Sequence, residues 1–245
     1  MINGKIWTRK PEDQRRFHLW ELDMTGEAWE KVVTKYLPEG QGKIALDVGC
    51  GTGFLSILMA RNGWQVVAVD NSASMVEQAK ETAEYYGLTD RITVLQADAD
   101  QNHLDPNCFD AVVSRHASFL FTDPEAAYRE IHRVLKPGGV FLNLDANWMA
   151  PVWDNNTAVQ FQADERALVE QYGHYEDIYH DRRMMEKLTW LPLSNQTRPV
   201  WDELMCKSIG FASVGSRFLT DEQLWHPIMA MRYRSVPTFA FTAVK

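Results

Sequence analysis

One run constrains this chain more than any other: Ala45-Leu46-Asp47-Val48-Gly49-Cys50-Gly51-Thr52-Gly53-Phe54-Leu55. Short apolar residues feed straight into glycine at every second position, and a helical pattern, Phe54–Arg61, follows. Glycine reaches backbone angles closed to other residues and lets a ligand meet the main chain with no Cβ in the way. A helix starting just beyond presents unpaired N–H groups and partial positive charge to the same spot. A strand, a glycine turn and a helix open the nucleotide cleft of many parallel sheets. Three glycines also suit an ordinary turn, so the surrounding pattern has to decide.

That pattern alternates between strand and helix from residue 43 to 147. Lys43–Val48 is a short apolar run, and Gln65–Val69 is a second one, closed by Asp70. Ser74 with Glu77 forms a capping box that opens a helix over Ser74–Tyr86, and Gly87 stops it. Ile92–Gln96 and Phe109–Ser114 read as the third and fourth strands. Asp123 caps a helix with Pro124 at its first position, where a missing N–H costs nothing. Its stripe of Ala127, Ile131, Val134 and Leu135 ends at Pro137-Gly138-Gly139, before a fifth strand, Val140–Leu144. The alternation predicts an α/β fold with a doubly wound parallel sheet.

The flanks differ in texture. Residues 1–42 form a polar, helical cap segment with scattered aromatics (Trp7, Phe17, Trp20, Trp29, Tyr36). Residues 148–199 are rich in aromatics and methionine and show no strand alternation, which predicts an inserted helical lid. Residues 200–245 supply a helix ending at Gly210 and two strands, Phe211–Phe218 and Thr238–Val244. The four segments make a single domain.

Composition removes several function classes. The 245 residues are 45% hydrophobic and 24% charged, enough apolar material for a substantial core. No apolar run approaches the ~20 residues that span a bilayer, and residues 1–17 lack a leader's apolar stretch. Cys50, Cys108 and Cys206 are too scattered for a disulfide framework or a zinc site, so a reducing, cytoplasmic setting is expected. The net charge is −8 and the arginine pairs are short, which argues against nucleic acid as a partner.

Asp70 at the end of the second strand is placed to accept both hydroxyls of a ribose, and Asp98 at the end of the third to accept from an adenine amino group. The spacing is G-x-G-x-G with Asp47 ahead of it, whereas the dinucleotide fingerprint is G-x-G-x-x-G. The run therefore resembles motif I of the class I S-adenosylmethionine-dependent methyltransferases. Phe109-Asp110-Ala111-Val112-Val113 resembles that family's fourth-strand motif, and Arg133–Gly139 its turn into the fifth strand. The resemblance covers residues 43–147 well and 200–245 loosely. It implies a Rossmann-like seven-stranded sheet of order 3-2-1-4-5-7-6 with strand 7 antiparallel. It also implies S-adenosylmethionine as cofactor and S-adenosylhomocysteine as product. On the same basis Asp47, Gly49, Cys50, Gly51, Gly53, Asp70, Asn71, Met75, Asp98, Ala99, Ser114 and Arg115 are the expected cofactor contacts.

Methyl transfer from a sulfonium needs alignment and dryness more than a catalytic side chain. His116, after the fourth strand, is the candidate base; hydrogen bonding within a loop is its alternative role. Trp20, Asp145, Asn147, Trp148, Tyr175 and Tyr179 are the candidate acceptor contacts. In related methyltransferases the N-terminal segment, here with Trp7, His18 and Trp20, folds over the cofactor. No metal is expected, because the fourth strand ends in Ser114-Arg115-His116 without a carboxylate and His174 and His180 do not share a helical face. Fourth-strand loops of the DNA-methylating kind are absent. The expected partner is a small, partly apolar or aromatic acceptor, with no nucleic acid and no membrane. The insert also suits packing or a homodimer surface. A nicotinamide-dependent oxidoreductase and a cofactor-binding module without catalysis are the alternatives.

Overall fold

The computed structural model describes residues 10–173, 182–220 and 224–245. Its centre is a seven-stranded sheet of order β3-β2-β1-β4-β5-β7-β6. The strands are β1 (Ile44–Val48), β2 (Gln65–Asp70), β3 (Ile92–Gln96), β4 (Phe109–Arg115), β5 (Leu135–Asp145), β6 (Ser213–Phe218) and β7 (Phe239–Val244). The first five run parallel, and β7 is antiparallel to both β5 and β6.

Successive strand residues point to opposite faces, so continuously apolar strands feed two cores. Ala45, Ala111 and Val113 join one apolar cluster, with α1 (Pro11–Tyr36), α2 (Phe54–Arg61) and α3 (Ala73–Tyr85). Leu46, Val48 and Val112 join the other, with α4 (Pro124–Val134) and α8 (Val200–Ile209). A third cluster lies beyond the C-terminal edge of the sheet. It holds Trp148 and Met149, Phe161, Met185, Met229 and Tyr233. The elements that bring these together are α5 (Ala150–Trp153), α6 (Asn155–Tyr172), α7 (Arg182–Lys187) and α9 (Pro227–Tyr233). The insert leaves and rejoins the sheet at one place: the Asn147 amide donates to the Arg198 carbonyl at 2.8 Å and accepts from the Arg198 N–H at 3.1 Å.

Three local expectations change. The cap of α3 is Ser72, not Ser74: its extended backbone (φ −86°, ψ 111°) turns the chain directly after β2, and its hydroxyl accepts from Met75 N–H. Ser74 instead shares a 2.9 Å hydrogen bond with Ser72. Pro137-Gly138-Gly139 does not end a helix. The helix α4 stops at Val134, and the Pro-Gly-Gly segment already belongs to β5. Gly138 N–H donates to the Lys245 carbonyl and Lys245 N–H returns to Gly139, and with Gly138 at φ 78° the segment makes an irregularity in β5 where its register against β4 shifts. The helix α9 escaped the sequence reading; it is short, and its signal is a His226 cap followed by Pro227.

Candidate active site

A cavity of about 220 Å³ opens at the C-terminal ends of β1, β2 and β4. There the strand order reverses between β1 and β4, which is where open α/β sheets hold ligands. The glycine turn forms its floor. Gly49, Gly51 and Gly53 have φ of 70°, 54° and 93°, all left-handed. A Cβ on Gly49 would lie 2.5 Å from the Ala117 Cβ, so that glycine permits close backbone packing. A Cβ on Gly51 would meet nothing within 4 Å, because that position faces the open cavity. Gly53 is not on the cavity wall; it precedes α2 as its cap, and its left-handed backbone at φ 93°, not a close contact, calls for glycine there. The turn is held by the Val69 carbonyl, which accepts from Gly49 and Cys50 N–H at 2.9 and 3.0 Å.

The acidic groups at this floor are partly desolvated. The Asp70 carboxylate accepts from Gly51 N–H and from Ser72 N–H, each at 2.9 Å. Burial raises its pKa, and those two backbone bonds oppose the shift. Asp47 is 1% exposed and accepts from the Ser56 hydroxyl at 2.6 Å. Burial pushes it up to about 7 against that bond, with the neighbouring Asp70 charge adding to the rise. Burial, then the charges of Asp47 and Asp70, keep the Cys50 thiol protonated. Asn71, Met75, Asp98 and Ala99 complete this end of the wall.

The roof is α1. Gln14, Phe17, His18 and Glu21 fall on one helical stripe that faces the cavity. His18 Nδ1 lies 2.7 Å from the Thr52 hydroxyl of the glycine turn, and Gln14 Nε2 lies 2.8 Å from His18 Nε2. Glu21 takes both terminal nitrogens of Arg115. The guanidinium lies 4.0 Å from the Phe54 ring centroid and 4.3 Å from that of Trp29. Gln14 and Glu21 were not singled out in the sequence; their signal is a pair of buried polar residues on a helix that reads as solvent-facing.

His116 and Trp148 also line the cavity. His116 has φ of 52°, rare for a residue with a side chain, and its ring stacks 5.9 Å from Trp225 and meets the edge of Trp148 at 4.8 Å. With Phe119, Leu120, Met149, Met185, Leu188 and Tyr233, Trp148 makes an apolar far end.

Several sequence candidates lie elsewhere. Asp145 is fully buried behind the wall and is occupied by protein donors: Arg198 at 2.7 Å, Ser118 at 2.6 Å, Phe119 N–H at 3.1 Å and the Trp148 indole at 2.6 Å. Asn147 is taken up by the Arg198 backbone. Neither side chain reaches the cavity. Ser114 points into the sheet core, fully buried, instead of into the cleft. Trp20 turns outward, 37% exposed, against His226 and Phe17. Tyr175 and Tyr179, with the His174–Asp181 segment, and Trp7 lie outside the described residues. Among the described residues no group of three histidines, cysteines or carboxylates could hold a metal, and no helix is long and apolar enough to cross a membrane.

A glycine floor at the switch point, an acid closing β2 and a strand order with an antiparallel β7 define a class: nucleotide-binding α/β folds of the class I methyltransferase type. Residues 46–143 match the family described as "Methyltransferase domain". A sterol 24-C-methyltransferase of Aspergillus fumigatus is 38% identical over 102 residues, covering 41% of this chain and 27% of that protein. The match thus spans about a quarter of that relative's length. A Haemonchus contortus phosphoethanolamine N-methyltransferase 2, solved with phosphomonomethylethanolamine and S-adenosylhomocysteine, superposes with a TM-score of 0.67 at 17% identity. It covers 100% of this chain and 59% of that one. An S-adenosylmethionine-dependent methyltransferase of Aquifex aeolicus gives 0.62 at 17% identity, covering 97% of this chain and 99% of that one.

Proposed function

We propose that this chain transfers a methyl group from S-adenosylmethionine to a small acceptor in the cleft above β1, β2 and β4. The observation that carries the reading is one continuous cavity with a backbone-exposing, acidic floor and an apolar, aromatic far end. The open side of Gly51 fits an adenosyl group, since no side chain fills it. Asp70 would hold the ribose hydroxyls with lone pairs not taken by Gly51 and Ser72, and Asp98 would meet the adenine edge. Asp47 and Asp70 place negative charge where a sulfonium and an ammonium would arrive. When bound, the cofactor supplies a methyl carbon to which the acceptor forms a bond as the carbon–sulfur bond breaks, its electron pair going to sulfur.

The protein's own part is to orient and to exclude water. The helix α1 covers the cleft through His18 and Glu21, and the insert covers it through Met149 and Met185. His116 stands on the wall between the two ends and is the group placed to take a proton from an acceptor that must lose one. We assign the protein to the cytoplasm, with no nucleic-acid partner; whether the exposed face of the insert pairs two copies is decided by its oligomeric state in solution.

Titration calorimetry with S-adenosylmethionine and, separately, NAD tests the reading. Binding of the first and not the second is expected, and the reverse sinks the proposal. Formation of S-adenosylhomocysteine with an acceptor from a metabolite extract separates an enzyme from a binding module. In His116→Ala, a turnover loss of about a hundredfold or more with loss of the acidic limb of the pH profile is expected for a base. Retained turnover with an unchanged profile removes that role.

A further inference from the structure

Among the described residues, the far end of the cavity offers no lysine or arginine. Its wall is Phe119, Leu120, Trp148, Met149, Met185 and Tyr233. Among the described wall residues Arg115 is the one lysine or arginine, and Glu21 already takes both its terminal nitrogens. Each partner of that pair has a side chain 6% exposed, and aromatic rings lie against the guanidinium. The next buried cation, Arg198, is sealed behind Trp148 by Asp145 and Asp202. Toward the cofactor end the wall adds Asp47, Asp70, Asp98, Asp100 and Asp123. An anion entering here would lose its hydration shell, find no unpaired lysine or arginine among the described wall residues and face several carboxylates. An uncharged apolar body meets rings and methionine side chains that adapt to irregular shapes.

We infer that the methyl acceptor is an electrically neutral, largely apolar molecule, and that the site rejects acceptors carrying a phosphate, sulfate or carboxylate. The inference rests on the methyltransferase reading of the same cavity and fixes the charge class of its second ligand. Selectivity comes from two features: an apolar wall, and an ion pair closed on itself that presents no net charge.

Equilibrium dialysis of the protein saturated with S-adenosylhomocysteine, against 2-naphthol and against 2-naphthyl phosphate, tests this. The neutral probe is expected to bind at least about tenfold more tightly. Leu120→Lys, which sets an unpaired ammonium on the wall, is expected to narrow or reverse that ratio. Phe119→Lys replaces it should the first variant fail to bind S-adenosylhomocysteine. Equal or tighter binding of the phosphate by the wild-type protein overturns the inference, as does failure of the neutral probe to bind. No gain for the phosphate in a lysine variant that still binds S-adenosylhomocysteine overturns it too. Failure of the wild-type protein to bind S-adenosylhomocysteine at all strikes the methyltransferase reading itself, and the charge inference falls with it. Saturation with S-adenosylhomocysteine and the wrong probe preference strikes the charge inference alone.

Discussion

The two ends of the cleft are built by different means. The end proposed for the cofactor is mostly backbone: two left-handed glycines, two amides on Asp70 and strand termini that sit within one βαβ stretch. The acceptor end is side chains from α1, the turn after β4, the insert and α9, which are far apart in sequence and meet only on folding. Backbone geometry tolerates few residue types, whereas apolar packing tolerates many. The first end can therefore stay fixed while the second is rebuilt around a new acceptor.

The largest expected effect tests the support of the acceptor end. Arg198→Met leaves Asp145 and Asp202, both fully buried, without their counter-charge. The expected loss is about 3–5 kcal/mol of stability by denaturant unfolding. A loss below about 1 kcal/mol would show that the wall around Trp148 does not depend on this network.

Next in size is Asp47→Asn. The carboxyl rises from 3.8 to about 7 on folding, so the folded state binds the extra proton. That contribution is full below about pH 4 and is lost as the pH climbs through about 7. At 1.36 kcal/mol per unit the cost above pH 7 is at most ~4 kcal/mol. Asparagine still accepts from Ser56 and carries no charge, so it should raise the melting temperature at pH 8 and have little effect at pH 4. Equal effects at both pH values would refute the buried-acid account. Cofactor affinity should fall in the same variant.

Asp70→Ala removes the acceptor of Gly51 and Ser72. Cofactor binding should weaken about 10–100-fold, equivalent to 1.5–3 kcal/mol, while 2-naphthol binding to the apoprotein is unchanged. A parallel loss of both would mean that the two ends are not separable. Smallest is Gly51→Ala: the left-handed backbone costs about 1–2 kcal/mol of stability, measurable by thermal unfolding, with no clash to add. Gly49→Ala, whose methyl would strike Ala117, should cost more, and the order of the two checks which glycine packs and which faces the ligand.

The same division explains what could be read from the chain. Strand positions and the acid closing β2 followed from apolar runs and glycine spacing, because each is a local pattern, whereas the sheet order came from the family resemblance and Asp98 lies two residues beyond β3. Asp145 and Asn147 misled because their partner, Arg198, is 53 and 51 residues away, and nothing local shows that their side chains are already occupied. Trp20 and Glu21 are neighbours with opposite fates. Hydrophobicity would bury the tryptophan, yet the helix phase turns it outward and puts the glutamate on Arg115. The seven residues of α9 were invisible for want of length to show a period.

The double hydrogen bond between Asn147 and the Arg198 backbone has a consequence for how such a chain can change. Because the fifty residues from 148 to 197 depart and return at one clasp, the strand registers on either side do not depend on the length of the excursion. Material can be added or deleted inside the loop as on a keyring, with the ring closed throughout. Natural variation in acceptor would then be written as insertions and deletions between the two anchors, and the clasp residues would outlast the sequence they enclose.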